Sequence, residues 1–183
     1  VTIGNQCWFQ ENLRTESYRN GDAIPNVQDD GEWYNLRLTE TGAWCHYNND
    51  IDYLGEQVGK LYNHYAVQDS RALCPSDWHI PSNDEWQILV DFLGENAGGK
   101  MKESGHEHWE WWSDTITNET TNESGFSALP AGRRYHSNGE YYNMGDYGYF
   151  WSSSEFAAST TNHKDGIAVK DDYNMEGHTF HND

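Results

Sequence analysis

The clearest hydrophobic pattern in the chain follows Ser82. The apolar positions that recur at helical spacing are Trp86, Leu89, Val90 and Leu93. Because these residues fall on one face of a 3.6-residue period, they predict an amphipathic helix. Ser82 with Glu85 three residues later forms a capping-box pattern, and Gly94 is a natural stop. We therefore predict a helix over 83–93.

The rest of the pattern predicts one more helix and several short strands. A weaker helix is predicted over 61–71 from Leu61, Tyr65 and Val67. Strands are predicted where aromatic and β-branched residues concentrate, at 126–129, 147–153 and 166–170. Turn residues separate them at 137–139, 144–146 and 164–166. Helices followed by strands and long loops predict an α+β domain.

Composition supports one folded domain over residues 1–183. Apolar residues make up only 36% of the chain, but 15% of all residues are aromatic, including nine Trp and twelve Tyr. Disordered chains are poor in aromatic residues, so Trp and Tyr are expected to supply much of a core. The start at Val1 carries no signal-peptide pattern. We therefore expect this domain to be excised from a larger surface protein and to act as a monomeric module.

The charge balance narrows the choice of partners. Eleven basic and thirty acidic residues give a net charge of −19. Such a surface repels nucleic acid and anionic membranes, and no apolar run approaches the roughly 20 residues of a membrane helix. It attracts cations, and calcium prefers carboxylate and carbonyl oxygens. The alternative is that the acidity only keeps the protein soluble.

The three cysteines leave the redox state open. Cys7, Cys45 and Cys74 allow three alternative single disulfides, each with one cysteine left over. Their spacing fits no zinc motif. A partner cysteine outside this sequence is a further alternative.

Six segments in order resemble one bacterial family. They are QCWFQENL at 6–13, WCHYNND at 44–50, GKLYNHYA at 59–66, LCPSDWHIP at 73–81, GFSALPAG at 125–132 and YFWSSSE at 149–155. Together they resemble the Fibrobacter succinogenes major paralogous domain. The resemblance ends after Glu155, where the family's closing Val-Arg-Cys pattern is replaced by a segment rich in Asp, Asn and His.

The resemblance implies an extracellular bacterial domain with a C-type-lectin-like fold. More loosely, the chain is similar to the peptide-binding domains of calcium-dependent RTX adhesins, which recognise the exposed C-termini of surface proteins. It therefore implies a calcium-dependent adhesion module on the bacterial cell surface, with peptide C-termini as partners.

Two acidic segments are candidate calcium sites. The first contains Asn48, Asn49, Asp50 and Asp52, with Glu56 close behind, and its alternating oxygens can converge on one hard cation. The alternative is that Asn and Asp form turns there by bonding their own backbone. The second comprises Glu155, Asp165, Asp171, Asp172 and Asn174. Crowded carboxylates repel one another, which a divalent cation relieves, but a solvated acidic loop is the alternative.

Basic and aromatic residues are candidates for ligand binding. Arg133 and Arg134 form the only adjacent pair of basic residues, and a guanidinium matches a carboxylate bidentately. The alternative for this pair is a structural salt bridge. The aromatic candidates are Trp111 and Trp112, beside Trp109, and Tyr141 and Tyr142. Flat rings stack on sugars and on peptide side chains, although most rings in a chain of this composition belong to the core.

No enzyme motif is present in the sequence. It contains no nucleophile elbow, phosphate loop, zinc-protease motif or dinucleotide fingerprint. The leading hypothesis is a non-enzymatic, calcium-dependent module that binds peptide C-termini. A calcium-dependent lectin is the alternative among binding modules, and a secreted glycan hydrolase is the alternative among enzymes.

Overall fold

A computed structural model of the chain describes residues 1–52, 55–105, 107–109, 120–155, 164–170 and 175–179. The described part is an α+β domain, as predicted. Its helices are α1 (Asp30–Thr39), α2 (Gly55–Val58), α3 (His64–Gln68), α4 (Asn83–Leu93) and α5 (Ala97–Met101). Its strands are β1 (Thr2–Ile3), β2 (Gln6–Cys7), β3 (Trp44–Cys45), β4 (Leu61–Tyr62), β5 (Ala131–Arg134), β6 (Tyr141–Met144), β7 (Tyr147–Glu155), β8 (Lys164–Lys170) and β9 (Met175–Thr179). A single 3-10 turn covers Tyr47–Asn49.

The largest sheet has five strands in the order β6-β5-β7-β8-β9. Its neighbouring strands are antiparallel except β5 and β7, which run parallel with Gly132 opposite Gly148. Two small antiparallel pairs, β1 with β2 and β3 with β4, lie earlier in the chain. Strand β5 therefore lies between β6, its hairpin partner, and the long central strand β7. Its side chains are close to residues from both the first and the second half of the chain.

Helix α4 confirms the capping-box prediction residue by residue. The Ser82 hydroxyl oxygen accepts the Glu85 backbone N–H at 3.3 Å, and Glu85 Oε2 accepts the Ser82 N–H at 2.8 Å. Trp86 and Leu89 are buried on the helix's apolar face. The Trp86 indole N–H donates to the Trp151 carbonyl at 3.3 Å, which ties α4 to β7. The helix therefore begins after Ser82 and ends before Gly94, the positions that the capping box and the glycine predict.

The helix predicted over 61–71 is wrong at its start. Leu61–Tyr62 is strand β4, paired with Trp44–Cys45, and only His64–Gln68 is helical. Asn63 separates the two elements because its side-chain oxygen accepts the N–H groups of Ala66 and Ala43, both at 3.0 Å. One asparagine thus caps the helix and holds the loop before β3.

Helix α1 was not predicted, because its apolar face is narrow. Only Trp33 and Leu36 of its ten residues are buried. Its start is marked by Asp29, whose carboxylate accepts the Glu32 N–H at 2.8 Å. Two buried residues on one face are too few to give a clear periodic pattern in a mostly polar segment.

The strand predictions are confirmed in part. The segment predicted at 147–153 is β7, and that predicted at 166–170 is β8. The segment predicted at 126–129 forms only a bridge between Ala128 and Lys102, and the strand starts at Ala131 instead. The turn predicted at 144–146 joins β6 to β7, with Gly145 at a φ of 86°. The turn predicted at 164–166 is wrong, because Gly166 lies inside β8 opposite Trp151.

Aromatic residues fill the core, as the composition predicted. The main cluster packs α4 and α5 against the first residues of the chain and contains Ile3, Trp8, Trp86, Leu89, Leu93, Ala97, Met101, Trp109, Phe126 and Ala128. A second cluster centres on Tyr18, Trp44 and Tyr62, and a third on Trp33 and Cys45. None of the helices in the described residues is long and apolar enough to cross a membrane.

None of the three cysteines forms a disulfide. Cys45 and Cys74 are buried, whereas Cys7 is exposed. Burial raises the pKa of both buried thiols above the ordinary value for cysteine. Each of the three disulfide alternatives is therefore replaced by free thiols, of which the two buried ones are poor nucleophiles.

Candidate functional site

Arg134 is part of the framework. Its guanidinium donates to the carbonyl oxygens of Gly139, Val27 and Gln28 at 2.8, 2.6 and 2.9 Å, and to the Asp30 carboxylate at 2.8 Å. The side chain is 0% exposed. Four hydrogen bonds use most of the five donors that a guanidinium offers. The prediction that Arg134 binds a ligand is therefore corrected to the alternative, a structural role.

Arg133, the next residue, has a different environment. Its guanidinium carbon lies 5.4 Å from the Tyr135 ring centroid and 5.1 Å from that of Tyr149. Its Nε is buried without a hydrogen-bond partner. Among the residues that the structure describes, none accepts a hydrogen bond from this guanidinium or forms an ion pair with it. Arg133 therefore has unused capacity to bind an anion.

Arg133 lines a cavity of about 140 Å³, which we call the basic cavity. Its basic lining residues are Lys60, His64, Arg133, Arg134 and His136. Of the residues given positions in the structure, no aspartate or glutamate lines it. In a chain with a net charge of −19, this concentration of basic groups needs a specific cause.

Lys60 has partners of its own beside this cavity. Its ammonium lies 3.1 Å from the Glu16 carboxylate and 4.3 Å from the Trp44 ring centroid. Its side chain is only 9% exposed. Because the Lys60 ammonium pairs with Glu16, its charge is largely compensated, and Arg133 is left as the cation of this cavity without an anion.

A larger cavity of about 500 Å³ adjoins the basic cavity, and we call it the aromatic cavity. The two share the wall residues Lys60, Leu61, Tyr62, Tyr149, Phe150 and Trp151. The Phe9 and Trp78 rings stack at 4.1 Å with an interplanar angle of 20° among its lining residues. Its acidic lining residues are Glu11, Asp77 and Glu85. The two neighbouring cavities thus differ in size and in charge.

The first candidate calcium segment forms a local turn. Asn49 Oδ1 accepts the Tyr141 hydroxyl at 2.8 Å, and Asn49 Nδ2 donates to the Gln28 carbonyl at 2.8 Å. Asp50 Oδ1 accepts the Asp52 N–H at 2.9 Å, and Asn48 has a left-handed backbone with φ of 52°. These contacts are those of the turn alternative. Asn48, Asn49, Asp50 and Asp52 remain a predicted calcium site that competes with this bonding.

The second candidate calcium segment is only partly covered. Glu155 pairs in register with Lys164 at the end of β7, and Asp165 pairs with Thr179. Asp171, Asp172 and Asn174 lie outside the described residues. Within the parts of the chain that are described, no three His, Cys, Asp or Glu side chains form a group suited to a metal ion.

The aromatic candidates divide between structure and surface. Tyr141 packs 5.2 Å from Tyr47 and bonds Asn49, and burial raises the pKa of its hydroxyl above the ordinary value. Tyr142 is exposed and accepts a hydrogen bond from Asn138 at 3.1 Å. Trp111 and Trp112 lie outside the described residues, while Trp109 is buried in the core. Neither Tyr141 nor Tyr142 lines either cavity.

Sequence reasoning missed Lys60, Phe9 and Trp78 as site residues. All three lie inside the segments that carry the family resemblance, at 6–13, 59–66 and 73–81. These segments are far apart in the chain, so no local pattern indicated that they meet. The signal that the sequence offered was that aromatic residues accompany polar ones in these segments.

The comparisons with known proteins place this chain in a family. It belongs to the Fibrobacter succinogenes major domain family, whose sequence model matches residues 1–176. A curated relative, U24-ctenitoxin-Pn1a of Phoneutria nigriventer, is 34% identical over 59 residues, which is 31% of this chain. The chain spans only 42% of that relative's length. No solved structure matches the chain.

Proposed function

We propose that this domain is a non-enzymatic ligand-binding module of a bacterial cell-surface adhesin, and that it recognises the free C-termini of peptides. The observation that carries the proposal is the basic cavity, where Arg133 lies without an anionic partner. The family membership and the acidity of the chain are consistent with an extracellular setting. Calcium dependence remains part of the proposal as a prediction about the acidic segments.

The chemistry of the basic cavity suits a carboxylate. Arg133 is half-buried and its Nε has no hydrogen-bond partner, so an incoming anion can satisfy a donor that is otherwise unpaired. The guanidinium presents a planar fork that matches the two oxygens of a carboxylate. The two tyrosine rings beside Arg133 restrict how the fork can turn. A volume of about 140 Å³ admits a terminal carboxylate and the atoms next to it.

A direct test compares peptides that differ only at their C-terminus. A fluorescently labelled peptide library with free C-termini and its amidated counterpart are titrated with the domain in millimolar calcium. We expect amidation to weaken binding about 10-fold to 100-fold, since hydrogen bonds to a charged group are lost. The peptides should be recovered intact by chromatography, because a binding module does not cleave its ligand.

The matched variants are Arg133→Gln and Arg37→Gln. Arg37 is an exposed arginine on α1 whose guanidinium also lies over a tyrosine, Tyr34, at 4.0 Å. Arg133→Gln should bind free and amidated peptides equally, whereas Arg37→Gln should retain the preference. Equal binding of the two libraries by the unmodified domain would contradict the proposal. Direct binding of inorganic phosphate without any peptide binding would reassign the cavity to small anions.

A further inference from the structure

The aromatic cavity has features that the recognition of a carboxylate does not explain. The indole Nε1 of Trp8 and the side-chain Oε1 of Gln6 are both buried without hydrogen-bond partners, and both residues line this cavity. The Gln6 amide is oriented by its Nε2, which donates to the Glu85 carbonyl at 3.0 Å. The two atoms belong to residues of the same cavity wall, and a ligand reaches them once the side chains that cover them shift. Buried polar groups without partners are rare in native proteins and call for an explanation.

A ligand group that hydrogen-bonds to both atoms must itself be able to donate and to accept a hydrogen bond. A hydroxyl does so with a single oxygen, and a molecule with several hydroxyls can satisfy both atoms at once. The indole N–H can only donate, so it needs an acceptor from the ligand. This pairing favours a polyhydroxylated ligand over a purely apolar one.

The charges that line the aromatic cavity disfavour anionic ligands. Three acidic residues and one lysine line this cavity: Glu11, Asp77, Glu85 and Lys60. The Lys60 ammonium already pairs with Glu16. A carboxylated or phosphorylated molecule would meet repulsion here, although the neighbouring basic cavity would attract it. Anionic ligands are therefore disfavoured in the aromatic cavity.

The stacked rings of Phe9 and Trp78 supply an apolar surface for such a ligand. Phe9 is 40% exposed, and Trp78 is half-buried beside it. A pyranose ring carries a face of C–H groups that packs on a flat aromatic ring, while its hydroxyls point outward to polar partners. A volume of about 500 Å³ lies within the range of small-molecule sites and accommodates a sugar residue.

We infer that the aromatic cavity is a binding site for neutral sugars, distinct from the proposed peptide site. Trp78 and Phe9 provide the stacking surface, and Trp8 Nε1 and Gln6 Oε1 bond ligand hydroxyls. In this proposal the ligand is held by an indole N–H, an amide oxygen and aromatic faces, so we expect its binding not to require calcium. The module would then bind protein and glycan through two adjoining cavities.

The test uses the whole domain in EGTA against an array of neutral glycans, with sialylated and uronic-acid glycans on the same array. The neutral hits are then titrated as free methyl glycosides by isothermal calorimetry. We expect neutral sugars to bind in EGTA and acidic ones to bind at least tenfold more weakly. A complete absence of neutral hits, or a requirement for calcium, overturns the inference.

Variants separate this site from the basic cavity. Trp78→Ala removes an incompletely buried ring and should weaken sugar binding about tenfold. Trp8→Phe removes the indole N–H while keeping an aromatic ring, and should weaken it about fivefold. Arg133→Gln should leave sugar affinity unchanged, and Trp78→Ala should leave the preference for free peptide C-termini unchanged. Phe92→Ala, which removes an exposed ring outside both cavities, is the control. Unchanged sugar affinity in Trp78→Ala overturns the inference even if peptide binding is confirmed.

Discussion

At the scale of single residues, Arg133 and Arg134 show how far two identical neighbours can differ. Arg134 holds three backbone carbonyls and a carboxylate from inside the protein. Arg133 donates to none of the described residues and faces a cavity. The sequence identified the pair and both roles, a carboxylate clamp and a structural arginine. The sequence alone could not show which arginine has which role. The burial of Arg134 depends on hydrogen-bond partners more than a hundred residues earlier in the chain.

Removing Arg134 should therefore destabilise the protein far more than removing Arg133. Arg134→Met leaves the carbonyls of Val27, Gln28 and Gly139 without their donors, and we expect a loss of about 3 kcal/mol in the free energy of unfolding. Arg133→Met breaks no hydrogen bond to the described residues, so we expect a change within about 0.5 kcal/mol. Urea denaturation of both variants at pH 7 measures the difference. Equal losses would contradict the structural role of Arg134.

At the scale of elements, the sequence predicted best where local chemistry is complete. Helix α4 carries its cap, its apolar face and its stop within thirteen residues, and it forms as predicted. Strands β7 and β8 were found from their aromatic and β-branched residues. Strand β4 was mistaken for part of a helix because its partner, Trp44–Cys45, is distant in the chain. Two-residue strands are defined by pairing and leave almost no periodic signal.

The capping box of α4 should make part of the stability depend on pH. Burial alone would raise the pKa of Glu85, but hydrogen bonds from the Ser82 backbone and from His79 lower it below the ordinary value. A lowered folded-state pKa gives a contribution that is present above the ordinary pKa of glutamate, about 4.3, and lost as pH falls through the lowered value. Glu85→Gln should therefore cost about 1 kcal/mol at neutral pH and progressively less in acid.

Glu32→Gln is the matched control for this measurement. Glu32 occupies the same third position of α1, where Asp29 accepts its N–H, and α1 has no reciprocal capping-box bond. Thermal melts of both variants between pH 3 and 7 would isolate the reciprocal bond. An equal, pH-independent loss in the two variants would argue against it.

At the scale of the whole molecule, the charges that sum to −19 are unevenly distributed. Acidic groups dominate the chain, yet the charged residues that line the basic cavity, as far as the structure describes them, are cationic. The composition predicted the acidity and the aromatic core. It did not predict the cavities, because their walls come from five separate parts of the chain: Trp33 and residues 5–13, 60–67, 73–86 and 126–151. The net charge is a sum over the whole chain, so it does not reveal that one cavity is lined by basic residues.

The predicted calcium dependence is best tested on the intact domain. Thermal unfolding in EGTA is compared with unfolding in millimolar calcium, with magnesium as the control. Calcium at a hundred times its dissociation constant should add about 2.7 kcal/mol to the stability of the native state, which raises the melting temperature. Magnesium should not reproduce the rise, since it prefers a stricter octahedral site. No shift, with no metal in the purified protein, would remove calcium from the proposed function.

The hydrogen bond from Arg134 to the Val27 carbonyl also bears on how quickly the domain forms. It joins residues 107 positions apart, and the Trp151 indole reaches the Tyr62 carbonyl across 89 positions. Closing such long loops costs chain entropy before any contact compensates for it, so folding dominated by distant contacts is slow. An N-terminal fragment ending before β5 would lack the arginine that binds its loop at Val27. During synthesis, therefore, the loop at Val27 cannot form its hydrogen bond to Arg134 until the second half of the chain has been made.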